Sequence, residues 1–168
     1  MFLSFIKYTF TFIALLFIQV TVLNNFTFLG WATPYLYIYF IIILPTNISK
    51  SWLFTLAFIL GFSIDIFCNT PGMHSIAALT TAALREIILR LYFSTDEIES
   101  STPSAFTYGL WRFMRYALTV VALHHFTLLV LESFVFLNFW LLIGKIIVST
   151  LFSTLLIFSL ETFKLSRR

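Results

Sequence analysis

The chain has 168 residues and a net charge of +3, with 60% of its residues hydrophobic and only 10% charged. A soluble domain carries about 25% charged residues. This balance, with a mean hydropathy of +0.99, excludes a large-core soluble globule and points to a chain that crosses a membrane several times. The surplus positive charge sits in tails and loops and not on a basic folded surface, which argues against nucleic-acid binding.

No Asp, Glu, Lys or Arg occurs from Tyr8 to Ser49. A first span is expected over 8–23, ending at Asn24-Asn25. Lys7 before an apolar run has the outline of a signal peptide, but no small-residue cleavage pattern follows, so an uncleaved span is expected. Gly30, Trp31 and Pro34 punctuate the next turn. A second span over 33–44 ends at Pro45. Its dozen residues reach only ~18 Å as a helix, so it must borrow flanking turns or be shielded by protein.

A third span is expected over 51–67 and a fourth over 72–90, joined by a Pro71-Gly72 turn. A fifth follows over 106–130 and a sixth over 137–163. Between the fourth and fifth lies the one clearly polar connection, 94–104, which is acidic and rich in Ser and Thr. Ser94, or Thr95 with Asp96, suits the cap of a short helix there, and the 101–104 run suits the cap of the fifth span. The whole chain, 1–168, reads as one integral membrane domain, all-α, with six transmembrane helices. Lys7, Lys50, Arg85, Arg90 and the Lys164–Arg168 tail mark the cytoplasmic side. The connections near 24–33, 68–72 and 132–138 carry no Lys or Arg and belong outside. Both termini, and the 94–104 loop, are then cytoplasmic. A basic tail of this kind meets anionic lipid.

Ionisable residues inside apolar runs are costly and need a partner or a task. Asp65 ends the third span, His74 opens the fourth, and His124, His125 and Glu132 occupy the outer part of the fifth. Lys145 interrupts the sixth. This topology gathers all six toward the outer side. An ion pair of Lys145 with Asp65 or Glu132 is expected to lock spans three, five and six, with a proton or cation relay as the functional alternative. Adjacent helix positions diverge by ~100°, so His124 and His125 point apart and suit interhelical hydrogen bonds better than zinc. Arg112 and Arg115 share a face at the inner side. They either reach lipid phosphates or pair with Glu86 or the acidic loop. Gly61, one turn before Asp65, permits a close helix approach. Cys68 reads as a small apolar filler. No nucleophile–base spacing, metal motif or phosphate loop is present, so no catalytic residue, cofactor or metal is assigned.

Gly61-x-x-x-Asp65, followed by Pro71-Gly72 at the start of the next span, resembles the MreD family of rod shape-determining membrane proteins. His124-His125 with Glu132, and the position of Lys145, are similar to its Bacteroidetes-type members. The resemblance implies a non-enzymatic part of the cell-elongation and peptidoglycan-synthesis machinery in the bacterial inner membrane. It implies MreC as partner, with RodA, a class B penicillin-binding protein and MreB, and a fold similar to the substrate-binding subunits of energy-coupling-factor transporters. Asp65 and Gly72 match the family's motif and would shape the outer end of the bundle where MreC docks. The competing reading is a small-molecule-binding subunit of a vitamin-type transporter. It requires an outer cavity lined by polar groups that lack other partners.

Overall fold

A computed structural model describes residues 2–27, 32–99, 102–133 and 138–167. The Gly30-Trp31 turn lies outside them. The elements are α1 (Phe2–Thr21), α2 (Tyr39–Ile43), α3 (Lys50–Cys68), α4 (Met73–Tyr92), α5 (Thr95–Ile98), α6 (Ala105–Tyr108), α7 (Leu110–Glu132) and α8 (Phe139–Ser166). No β-strand occurs among the described residues. Four helices are long and apolar enough to cross a membrane: α1 extended to Asn25, α3, α7 and α8. The 20-residue α4 packs between α3 and α7, α8 packs on α7, and α1 lies on α3.

The distribution of side chains is that of a membrane protein. Phe10, Phe17, Trp52, Phe62, Trp111, Phe126, Trp140 and Leu151 face outward. Gln19, Asp65, His74, Thr81, Arg85, His124, His125, Ser153 and Glu161 are buried. Water would favour the reverse arrangement; hydrocarbon favours this one. Where α3, α4 and α7 meet, Ala57, Gly61, Ala77, Ala78, Ala82 and Ala117 let the backbones approach closely.

The expected second span differs from a helix. Only Tyr39–Ile43 is α-helical; residues 33–36 are not helical, and 36–44 are wholly buried at the centre of the bundle against α1, α4 and α7. Shielding by protein, and not added length, solves the shortfall noted in the sequence. Non-helical backbone at membrane depth survives only when other groups satisfy its polar atoms. Here side chains from four helices do so. Gln19 donates to Pro34 O at 3.1 Å and accepts from the N–H groups of Leu36 and Tyr37 at 2.8 and 3.4 Å. Ser153 accepts from Tyr35 N–H at 2.9 Å. Tyr116 donates to Ile42 O at 3.4 Å, and Arg85 donates to Leu44 O.

Helix ends follow local chemistry. Ser49 caps α3, and Asn69, with φ of 54°, closes it in the left-handed conformation. Ser94 and Glu97 form a reciprocal capping box on α5. Ser104 caps α6. The expected fifth span is broken at Gly109, where φ of 78° separates α6 from α7. Asn138 caps α8.

The acidic loop is tied to α7. Arg112 donates to both Glu97 oxygens at 2.8 and 2.9 Å and to Tyr92 O at 3.1 Å. Of the alternatives for Arg112, the structure has the loop contact. Arg115 is exposed and makes no ion pair among the described residues.

Gln19→Leu leaves three backbone groups unpaired and is expected to lower stability by about 2–4 kcal/mol, read as the thermal midpoint in detergent. Phe17→Leu, on the outward face of the same helix, is expected to shift it by less than about 0.5 kcal/mol. The Arg112 guanidinium, with the Ser94 cap, holds Glu97 down to about 2. A depressed carboxylate stabilises above its ordinary range, and that contribution is lost as pH falls through the folded value. The loop is therefore expected to stay docked at pH 5 and to release between about pH 4 and 2, seen as faster amide exchange at Ile98 and Glu99. Arg112→Gln should move the release upward toward the ordinary carboxylate range.

Candidate functional site

The site expected around Asp65 is a helical hairpin built from α3, a short turn and α4. Gly72 begins α4 with φ of 79° and has no side chain to cap the helix. Asp65 caps it from the preceding helix. One carboxylate oxygen accepts from Thr70 Oγ1 at 2.8 Å and from His74 N–H at 2.9 Å. The other accepts from Ser75 N–H at 2.9 Å and Ser75 Oγ at 2.7 Å. Four donors on one buried carboxylate satisfy it as the anion, at the positive end of the helix dipole.

Gly61 makes this possible. A Cβ there would lie 2.6 Å from His74 O and Ser75 Cα, so only glycine lets the start of α4 come down onto Asp65. Pro71 is exposed at the tip of the turn. Gly61, Asp65, Pro71, Gly72 and His74 thus form one structural unit. Cys68 is more than a filler: Asn24 Nδ2 donates to its sulfur at 2.8 Å, tying the end of α1 to this hairpin.

The expected lock through Lys145 is not made. Among the described residues Lys145 is half-buried on α8 without an ion pair, and Glu132 is exposed, also without one. For Asp65 the reason is local: the turn supplies four donors to its carboxylate within ten residues of sequence, so it is already satisfied without a lysine from a distant helix.

The histidines join a second unit that sequence reasoning met only in part. Thr81 Oγ1 donates to Ala77 O at 2.8 Å, so it accepts from His124 Nδ1–H at 3.3 Å. His124 Nε2 then accepts from the Tyr37 hydroxyl at 2.7 Å, whose oxygen accepts from His74 Nδ1–H at 3.0 Å. This directed chain needs a neutral His124 and ends on a backbone carbonyl. His125 Nδ1–H donates to Val121 O at 2.9 Å, and its Nε2 accepts from Ser153 Oγ at 3.2 Å. The two rings point to different neighbours, as adjacent helix positions require, and both serve the interhelical hydrogen bonding expected of them. Among the described residues no three His, Cys, Asp or Glu side chains form a metal-binding group.

Beside these units lies a cavity of about 340 Å³, lined by Asn24, Thr33, Tyr35, Thr70, His74 and Glu132 among others. Of the residues singled out in the sequence, Cys68, His74 and Glu132 line it; Asp65, His124, His125 and Lys145 do not.

At the opposite end, Glu161 is a buried acid that sequence reasoning passed over. It accepts from Ala105 N–H at 2.7 Å, from Lys164 Nζ at 3.1 Å and from the Tyr39 hydroxyl. Like Asp65, it caps a helix from a neighbouring one. Its spacing of three from Lys164 was the available signal. Gln19, alone in an apolar run, was the signal for a buried amide.

Comparison with family models, curated proteins and solved structures found no match.

Gly61→Ala is expected to push α4 away from α3 and cost about 1–3 kcal/mol. Asp65→Ala strips the cap from α4 and is expected to cost about 2–4 kcal/mol, with Asp65→Asn milder because the amide still accepts. Thermal unfolding in detergent, followed by circular dichroism, checks both.

Proposed function

We propose that the chain is a non-enzymatic membrane scaffold of the MreD kind. It crosses the bacterial inner membrane six times with both termini in the cytoplasm. It binds MreC at the outer end and, with RodA, a class B penicillin-binding protein and MreB, supports rod shape and peptidoglycan synthesis. The observation that carries this reading is the use made of the polar groups inside the bundle. Asp65, His124, His125 and Glu161 are all occupied by structural hydrogen bonds, which builds rigid ends and leaves those groups committed to holding helices.

Two further features support it. The first motif of the family resemblance, Gly61, Asp65, Pro71 and Gly72, forms one hairpin unit. Lys7, Lys50, Arg90, Arg112 and Lys164 cluster at one end, through contacts such as Lys50 with Glu86 and Arg112 with Glu97, while the α3–α4 turn defines the other. That polarity agrees with positive charge on the cytoplasmic side.

A second reading is favoured by the cavity of about 340 Å³ at the turn end: binding of a small polar molecule between α1, the α3–α4 turn and α7. Glu132 and Asn25, both exposed, would contact it first.

Co-expression with the MreC of the same organism separates the two. The scaffold reading expects MreC to co-purify with the wild-type chain. Asp65→Ala is expected to reduce the yield of complex roughly tenfold, on the several-kcal/mol scale of a lost buried network. Glu132→Gln should retain the complex. Depletion in cells is expected to give rounding. Failure of the wild-type chain to retain MreC, together with uptake of a small solute that Glu132→Gln abolishes, would replace the scaffold reading with the second.

A further inference from the structure

Arg85 is buried, with 2% of its surface exposed, near the basic end of α4. It has no carboxylate partner among the described residues. It donates to the Leu44 carbonyl at the end of α2, and among the described residues its Nε has no partner. The Tyr116 phenol, which donates to Ile42 O, can accept from the guanidinium beside it, but it is neutral and brings no counter-charge. A buried cation without a counter-charge costs several kcal/mol. The two buried acids, by contrast, are each supplied with several donors.

The missing charge has a place to sit. Arg85 lines a cavity of about 240 Å³ together with Lys50, Arg90, Asn47, Thr95 and Glu86. Lys50 and Arg90 are exposed at its mouth and share the single carboxylate of Glu86, at 3.5 and 2.6 Å. Three cations therefore face one anion, and the deepest cation is the unpaired one. A tetrahedral oxyanion suits this arrangement. Arg85 lines the buried side of the cavity with a guanidinium that has no carboxylate partner among the described residues, Lys50 and Arg90 stand at its exposed side, and Asn47 and Thr95 complete a polar lining.

The geometry points to a phosphate-binding site in this cavity, with Arg85 as the buried anchor and Lys50 and Arg90 as the outer clamp. The phosphate belongs either to a phospholipid headgroup at the membrane surface or to a free phosphate in solution. The site is separate from the turn end of the bundle and stands independently of the scaffold reading.

The test uses the full chain in neutral, phosphate-free detergent, with thermal unfolding followed by tryptophan fluorescence. Dihexanoyl-phosphatidylglycerol, dihexanoyl-phosphatidylcholine and inorganic phosphate are titrated separately at matched ionic strength, with sodium chloride as the blank. A saturable rise in Tm is expected with a phosphate ligand and none with chloride. Arg85→Gln is expected to abolish the rise, and Lys50→Gln with Arg90→Gln to weaken the apparent affinity roughly tenfold, as for loss of charge-assisted contacts. A response to the lipids alone assigns the site to a headgroup, with phosphatidylglycerol over phosphatidylcholine reporting preference for net negative charge. A response to inorganic phosphate of equal size assigns it to the free ion. Equal shifts from chloride, no shift from any phosphate ligand, or a shift unchanged in the Lys50/Arg90 double variant overturn the site. That double variant alters only exposed side chains, so it decides the matter even if Arg85→Gln fails to fold.

Discussion

A peptide group buried in an apolar interior without a hydrogen bond costs several kcal/mol, and residues 33–38 bring a run of such groups to the centre of this bundle. Most of the internal polar architecture answers that constraint. Gln19 from α1, Ser153 from α8, Tyr116 from α7 and Arg85 from α4 each reach inward to a backbone atom of the 32–44 segment. The segment therefore acts as a central strut that the surrounding helices grip by hydrogen bonds. Because the grips come from helices distant in sequence, they also fix the relative height of those helices. Ser153, for example, can meet Tyr35 N–H and His125 Nε2 together only when α7 and α8 are in register.

The two buried carboxylates extend the same economy of donors to the ends of the bundle. Asp65 on α3 caps α4, and Glu161 on α8 caps α6. In each case the cap comes from a neighbouring helix, so the hydrogen bonds that satisfy a helix terminus also join two elements. Serine caps at 94 and 104 work locally by comparison and leave the inter-helix geometry to packing. Gly61 is the steric condition for the Asp65 cap, since backbone atoms of α4 occupy the space a side chain would need.

These commitments shape what the protein can do. A carboxylate holding four donors is a poor proton carrier, because two of those donors are the N–H groups that it caps at the start of α4. A histidine chain that ends on the Ala77 carbonyl does not continue across the bundle. The interior is accordingly suited to rigidity, and exchange with other molecules falls to the surfaces. Those surfaces are the outward aromatic faces, the polar cavity beside Glu132 at the turn end, and the basic cavity around Arg85 at the other.

Composition and the charge-free stretch before Lys50 were enough to point to an all-α chain with helices apolar enough to cross a membrane, because solvent matching acts on every residue and so appears in bulk statistics. The turn at Pro71-Gly72 and the closeness permitted at Gly61 were also legible, since both depend on neighbours within a few residues. The partners of the charges were not. Asp65 read as half of an ion pair with Lys145, yet backbone N–H groups, which every residue carries and no motif announces, took its lone pairs first. Likewise nothing local in the sequence says that 33–36 leaves the helical path or that Gln19, Tyr37 and Ser153 converge on it. Only the packing of α1, α4, α7 and α8 around one short segment decides which polar side chain faces which backbone atom.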